Sequence, residues 1–320
     1  MIKKENQYFI FDTPINLNFK YVVKMIIARI LAIYYKILIY YYQPRMKNNK
    51  RKYKVTICAI FKNEAMYLRE WIEFHRIVGV EHFYLYNNNS NDEYLRILDP
   101  YIEKGIVTLV DWPYQQAQME AYNDCVKRFK LESHWIGFID IDEFVVPNEM
   151  DTIYDFLKAY KYYPAVVIYW RVFGSSGKIK RDVKRLVTED FISCWPKLDS
   201  IGKCFYNTSY VLNSENKHNK TFHHQMWAAF NNKYFPPINL YGNFIIFERH
   251  IAKKNIPIQI NHYFTKSYDE YIKKCSKGDV FFKINPHDDN YFFAHEKKCR
   301  SIDYSIYKYL VKLKLAVENL

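Results

Sequence analysis

The segment Trp135-Ile-Gly-Phe-Ile-Asp140-Ile-Asp142-Glu143-Phe144 constrains this chain most, because an apolar run ends there on three carboxylates. Trp135 to Ile139 is short and rich in β-branched and aromatic side chains, which predicts a strand covered on both faces of a sheet. Acidic groups at the carboxyl end of such a strand stand where open α/β sheets bind their ligands. Carboxylates this close repel one another unless positive charge lies between them, and a hard divalent cation is the usual solution. The cation in turn holds a diphosphate. The pattern therefore points to chemistry on an activated phosphate ester.

Around this segment the pattern alternates. Strands are predicted over Val55 to Phe61, His82 to Tyr86 and Ile106 to Asp111. Helices are predicted over Glu64 to Val78, from the end of the polar loop Asn87 to Asp92 to about Tyr101, and over Gln116 to Leu131, with Asn63 as the N-cap of the first. Such alternation implies a mostly parallel sheet with helices on both faces. Ala165 to Phe173 reads as a further strand, short strands follow between Lys203 and His262, and the chain turns helical from Tyr268. Three regions result: a tail, helix and basic linker over 1–54, an α/β domain over 55–265, and a helical extension over 266–320.

The formal charge of +13 calls for an anionic partner. Six cysteines without a C-x-x-C pair read as reduced, in a cytosolic compartment. Tyr21 to Gln43 is about long enough to span a bilayer, yet Lys24, Arg29 and Lys36 interrupt it. At 100° per residue Arg29 and Lys36 share one face, as in an amphipathic helix lying in a membrane interface. The cluster Arg45, Lys47, Lys50, Arg51, Lys52 and Lys54 follows at once and suits an anionic cytoplasmic leaflet. A helix packed on the protein's own core is the alternative.

Five stretches in order carry a resemblance: Val55-Thr-Ile-Cys-Ala-Ile-Phe-Lys-Asn63-Glu64, Leu68-Arg-Glu-Trp71-Ile-Glu-Phe-His75, Phe138-Ile-Asp-Ile-Asp-Glu-Phe144, Tyr169-Trp-Arg-Val-Phe-Gly-Ser-Ser-Gly177 and Ile260-Asn-His262-Tyr-Phe-Thr-Lys266-Ser. Together they resemble glycosyltransferase family 92, over roughly Val55 to Gly278. The resemblance implies the GT-A nucleotide-diphospho-sugar transferase fold and metal-dependent, inverting transfer of a sugar. The donor would be a nucleotide sugar, UDP-hexose above others, with galactose or glucose as the sugar. The acceptor would be a glycan hydroxyl, and the membrane-seeking amino terminus and basic surface suggest a lipid-linked or lipopolysaccharide-type one at the cytoplasmic face of a bacterial membrane.

The resemblance also assigns roles. Asp140 and Asp142 would coordinate Mn²⁺ or Mg²⁺, with His262 as a further ligand; a bonded imidazole favours Mn²⁺. His262 alternatively pairs with a backbone carbonyl. Asn63, Glu64, Asn88 and Asn123 would touch the nucleotide. Gln118 joins them and shares a helical face with Tyr122, which is read as packing. Lys203 and Lys266 would neutralise phosphate, although each is one of 47 lysines and arginines. Arg171 and the turn Gly174-Ser175-Ser176 would shape the acceptor pocket. Glu189 and Asp190 are preferred as catalytic base over Asp199. At most one of His223 and His224 would face the site if they lie on a strand.

Two other classes compete: a non-catalytic basic protein binding nucleic acid or membrane, and a metal-dependent phosphatase or nucleotidyltransferase. Asp140-x-Asp142 matches the opening of haloacid-dehalogenase-like phosphatases, but Phe144 and the fourth-strand position do not. The glycosyltransferase reading needs no nucleic-acid partner. No G-x-G-x-x-G follows a strand and no P-loop pattern occurs, which removes support from dinucleotide and P-loop chemistry.

Overall fold

The computed structural model describes residues 18–46, 50–247, 255–276 and 288–318. The N-terminal tail and Lys47 of the basic cluster lie outside the described residues. Helix α1 (Phe19–Tyr42) precedes β1 (Tyr53–Phe61), α2 (Ala65–Ile77), β2 (His82–Asn87), α3 (Tyr94–Glu103), β3 (Val107–Asp111), α4 (Gln118–Phe129) and β4 (Ser133–Phe138). These four strands pair in parallel in the order β3-β2-β1-β4, as the alternating pattern predicts.

Beyond β4 the chain turns back on the sheet. It forms β5 (Glu143–Pro147), α5 (Ile153–Leu157), β6 (Ala165–Val172), α6 (Val187–Asp190), β7 (Ser193–Cys194) and β8 (Gly202–Asn207). Strand β8 enters antiparallel between β4 and β6. Two glycines permit that closeness. A Cβ at Gly137 would lie 2.5 Å from the Phe205 ring, and one at Gly202 would lie 2.0 Å from the Ile168 carbonyl oxygen.

A small sheet of β9 (Val211–Leu212), β10 (Ala228–Phe230) and β11 (Lys233–Phe235) stands apart, while β12 (Ile238–Asn239) adds to β6. Strand β13 (Ile258–His262) then inserts between β6 and β5, with His262 opposite both Val172 and Glu143. Helices α7 (Tyr268–Ser276) and α8 (Asp289–Glu296), β14 (Ser301–Ile302) and α9 (Leu310–Glu318) complete the chain. Helix α9 packs on α2, and Ile306, Tyr309 and Leu313 join the same apolar core as the sheet.

Helix α2 holds the acidic turn after β4. The Trp71 indole N–H donates to the carbonyls of Asp140 (3.0 Å) and Glu143 (2.9 Å). His75, wholly buried, lies 2.9 Å from the Trp71 carbonyl through Nδ1, and its Nε2 accepts from the Val145 amide at 3.2 Å. These partners require a neutral ring protonated at Nδ1, and burial lowers its pKa to about 3. The unfolded chain therefore takes up this proton first. His75's share of stability is complete above about pH 6.5 and drains as pH falls towards 3. Urea titrations at pH 7, 6 and 5 should show His75→Gln flattening the acid-side slope by about 1.4 kcal/mol per pH unit.

One expected cap is corrected. Asn63 has a φ of 55° and spends its carbonyl on the Asn91 amide, 2.8 Å away, so it is not the N-cap of α2. The Asp92 carboxylate accepts from the Ala65 amide instead, at 2.8 Å. A free helix N–H is thus met from the next loop.

Candidate active site

A cleft of about 850 Å³ opens at the carboxyl ends of β1 and β4, where ligands bind in open α/β sheets. Its wall includes Glu64, Asn88, Gln118, Asp140, Asp142, Lys203, His262 and Lys274. The first strands supply the acidic turn, the antiparallel β8 supplies Lys203, and β13 carries His262 in from far along the chain. Pairing of β13 with β5 sets His262 beside Asp142, with their Nε2 and Oδ1 atoms 3.7 Å apart.

The three carboxylates are not equivalent. Asp140 accepts from the Tyr122 hydroxyl (2.9 Å), the Gln118 amide (3.2 Å) and the Lys203 ammonium (2.7 Å). Asp142 accepts from Lys274 at 2.5 Å. Burial alone would raise the Asp142 carboxyl, but the nearby ammonium groups, Lys274 foremost and then Lys266, overcome it and hold the group ionised. Glu143 is fully buried, and burial raises its carboxyl against the pull of Lys203. One Glu143 oxygen accepts from the Asp140 amide at 3.0 Å, while Oε1 has no hydrogen-bond partner and lies 3.8 Å from Lys203. Lys203 itself is 1% exposed, and Asp140 and Glu143 offset the cost of burying its charge.

This donor set suits a divalent cation at Asp142 and His262. Burial pushes His262 down to about 3, so its ring is neutral, the state in which imidazole binds a metal. One ionised oxygen and one imidazole nitrogen favour Mn²⁺ over Mg²⁺ and leave coordination positions for phosphate oxygens. Asp140, engaged by three donors, is less available as a direct ligand. Among the described residues the one close triad of metal-type side chains is His295, Glu296 and Cys299, of which His295 also lines this cleft. Both Glu296 oxygens there are bonded to Ser175, and burial pushes the Cys299 thiol up to about 12.

Several expected site residues stand outside the cleft. Glu189 is tied to Lys314 (2.7 Å) and Arg185 (3.3 Å), and buried Asp190 to Arg185 (2.7 Å), so neither lines the cleft. Asp199 does line it. Its carboxylate accepts from the Ile201 amide at 3.1 Å, and burial raises its pKa. Arg171 donates to the carbonyls of Trp195 and Pro196 and pairs with Asp303, which fixes a loop rather than forming a wall. Gly174, Ser175 and Ser176 close a turn against Glu296 and Ser193 and also miss the cleft. Asn123, one residue round the helix from Tyr122, does not line it either. Asn63 and Lys266 line a neighbouring cleft of about 830 Å³, where the Lys266 ammonium sits 4.4 Å from the centre of the Tyr67 ring.

Other residues escaped the sequence reading. Trp170, Trp195 and Tyr291 line the cleft beside Asp199. The indole nitrogens of Trp170 and Trp195 and Nδ1 of His223 are buried without hydrogen-bond partners. Both His223 and His224 reach the cleft, because they lie on a turn rather than a strand. Lys274 had no motif to mark it. Tyr122, read as packing, bonds Asp140 directly.

The profile of glycosyltransferase family 92 matches residues 51–283. This chain belongs to glycosyltransferase family 92. A family 92 protein of Oryza sativa subsp. japonica is 33% identical over 153 residues, 45% of this chain and 26% of that protein. A galactan β-1,4-galactosyltransferase of Arabidopsis thaliana is 30% identical over 138 residues, 40% of this chain and 27% of its own length. The matched part of the chain thus spans about a quarter of the length of these relatives. The crystal structure of S. aureus TarS 1-349 in complex with UDP-GlcNAc aligns over 58% of each chain, with a TM-score of 0.36 and 12% identity. The sheet described above is of the α/β class expected from the resemblance.

Proposed function

We propose that the protein transfers a hexose, galactose above others, from a UDP-sugar to a glycan or lipid-linked hydroxyl, with inversion at the sugar carbon. The carrying observation is the convergence of Asp142, His262, Lys203 and Lys274 at one end of the sheet. That grouping suits a diphosphate held with a divalent cation. The names of the galactosyltransferase relatives favour galactose and a galactan-like acceptor over a lipopolysaccharide.

In this reading Asp199 takes the proton from the acceptor hydroxyl as its oxygen attacks the anomeric carbon. The bond from that carbon to the diphosphate oxygen breaks, and the nucleoside diphosphate departs with the bonding pair. Lys203 and Lys274 offset charge growing on the leaving group. A cation at Asp142 and His262, when bound, supplies further charge compensation as a Lewis acid. Trp170, Trp195 and Tyr291 offer the apolar ring faces on which a sugar packs. Asp140 is engaged by three donors and so makes a poor nucleophile, which disfavours phosphatase chemistry.

The test incubates the full chain with Mn²⁺ and a panel of sugar nucleotides and identifies the released nucleotide. Release of UDP, largest from UDP-galactose, is expected. Asp142→Ala should cut it by about 10²–10³-fold. Release of inorganic phosphate, or UDP release unchanged in Asp142→Ala, would sink the proposal.

A further inference from the structure

Helix α1 has two apolar faces, and the protein uses only one. Ala28, Ile39 and Tyr42 are buried, and the Tyr35 ring packs on Trp227, Phe235 and Phe244 with centroids 5.6–6.2 Å away. The helix is therefore fastened to the small sheet β9–β11. On the opposite side Phe19, Ile26, Ile30, Ile33, Ile37 and Tyr41 are each more than half exposed. At the α-helical turn they fall within an arc of about 80°. Lys20 flanks this stripe on one side, Arg29 and Lys36 on the other, and all three are exposed.

Such a stripe must meet something apolar. Among the described residues no helix is long and apolar enough to cross a membrane, and α1 already commits one face to protein. Charge selects the occupant. No aspartate or glutamate occurs between Asp12 and Glu64, while exposed Arg45, Lys50, Lys52 and Lys54 extend the basic border. A second copy laid on this face would oppose like charges with no local acid to pair them. An anionic lipid surface matches both features: acyl chains for the stripe, headgroup phosphates for the flanking lysines and arginines.

We propose that α1 lies in the plane of an anionic bilayer, with its Phe19–Tyr41 stripe at the headgroup–acyl boundary. Tyr40 and Tyr41 suit that depth through amphipathic rings, and the Arg45 guanidinium stacks 4.4 Å from the Tyr41 centroid. The domain then rides on the surface through a rigidly attached helix. This inference is independent of the donor chemistry.

The test sediments the full chain with vesicles of pure phosphatidylcholine and of phosphatidylcholine containing a quarter phosphatidylglycerol. Binding is expected to the anionic vesicles and to weaken with salt. The triple variant Ile30→Glu, Ile33→Glu, Ile37→Glu should reduce the bound fraction by about tenfold or more. Because these side chains are exposed, its thermal midpoint and solution UDP release should match the parent's. Equal binding by parent and triple variant would overturn the proposal. So would absence of binding, or a dimer in light scattering that the triple variant dissolves.

Discussion

Asp199→Asn is expected to lower sugar transfer by about 10²–10⁴-fold while leaving UDP binding intact, as loss of a general base requires. Asparagine keeps the acceptor oxygen for the Ile201 amide but cannot take a proton. The Asp199 amide donates to the Trp170 carbonyl at 2.8 Å, and the Trp170 amide donates to Ile201 at 3.0 Å. These backbone bonds, untouched by the substitution, keep the loop along β6. A fall in kcat with unchanged affinity for UDP, read by calorimetry, therefore separates a chemical role from a positional one. Glu189→Gln and Asp190→Asn serve as controls, and neither should reproduce the split. Full turnover by Asp199→Asn would move the base elsewhere.

Lys203→Met should destabilise the fold by about 3–5 kcal/mol, because it leaves the buried Glu143 carboxyl and the half-buried Asp140 carboxylate without their cation. For a domain of this size that is a fall of about 10 °C in thermal midpoint. Lys203 lies 2.7 Å from Asp140 and 3.8 Å from Glu143, and almost none of it reaches solvent. Adding Glu143→Gln should restore part of the loss, since one of the two uncompensated acids is then gone. The coupling between the substitutions, measured by a double-mutant cycle in urea, should exceed about 1 kcal/mol. A Lys203→Met protein as stable as its parent would mean that Asp140 and Glu143 need no ammonium between them.

How much of this was legible in advance varies along the chain. From Tyr53 to Phe138 the elements follow the predicted strands and helices to within a few residues. Each strand there is a short β-branched and aromatic run, and each helix has a clear apolar face. The acidic turn was legible for a similar reason: three carboxylates directly after a buried strand have few structural uses. Asn123 was misjudged by a single helical step of about 100°, which turns a side chain from the cleft to its flank. Glu189 and Asp190 carried the same chemistry as Asp199 in one dimension. Only the ion pairs with Arg185 and Lys314 show that they serve the fold.

Local pattern by itself determined the α/β class, the parallel half of the sheet and the acidic turn at its edge. Those depend on neighbours a few residues apart, whose spacing any folded form must respect. Tertiary structure alone decided which cations meet those acids and which acid faces the cleft. Lys203 arrives on an antiparallel strand, His262 on a strand inserted between two others, and Lys274 on a late helix. Each is an ordinary residue in its own stretch. Its role arises from strand register over distances of up to 132 positions, as between Lys274 and Asp142, which no periodicity encodes.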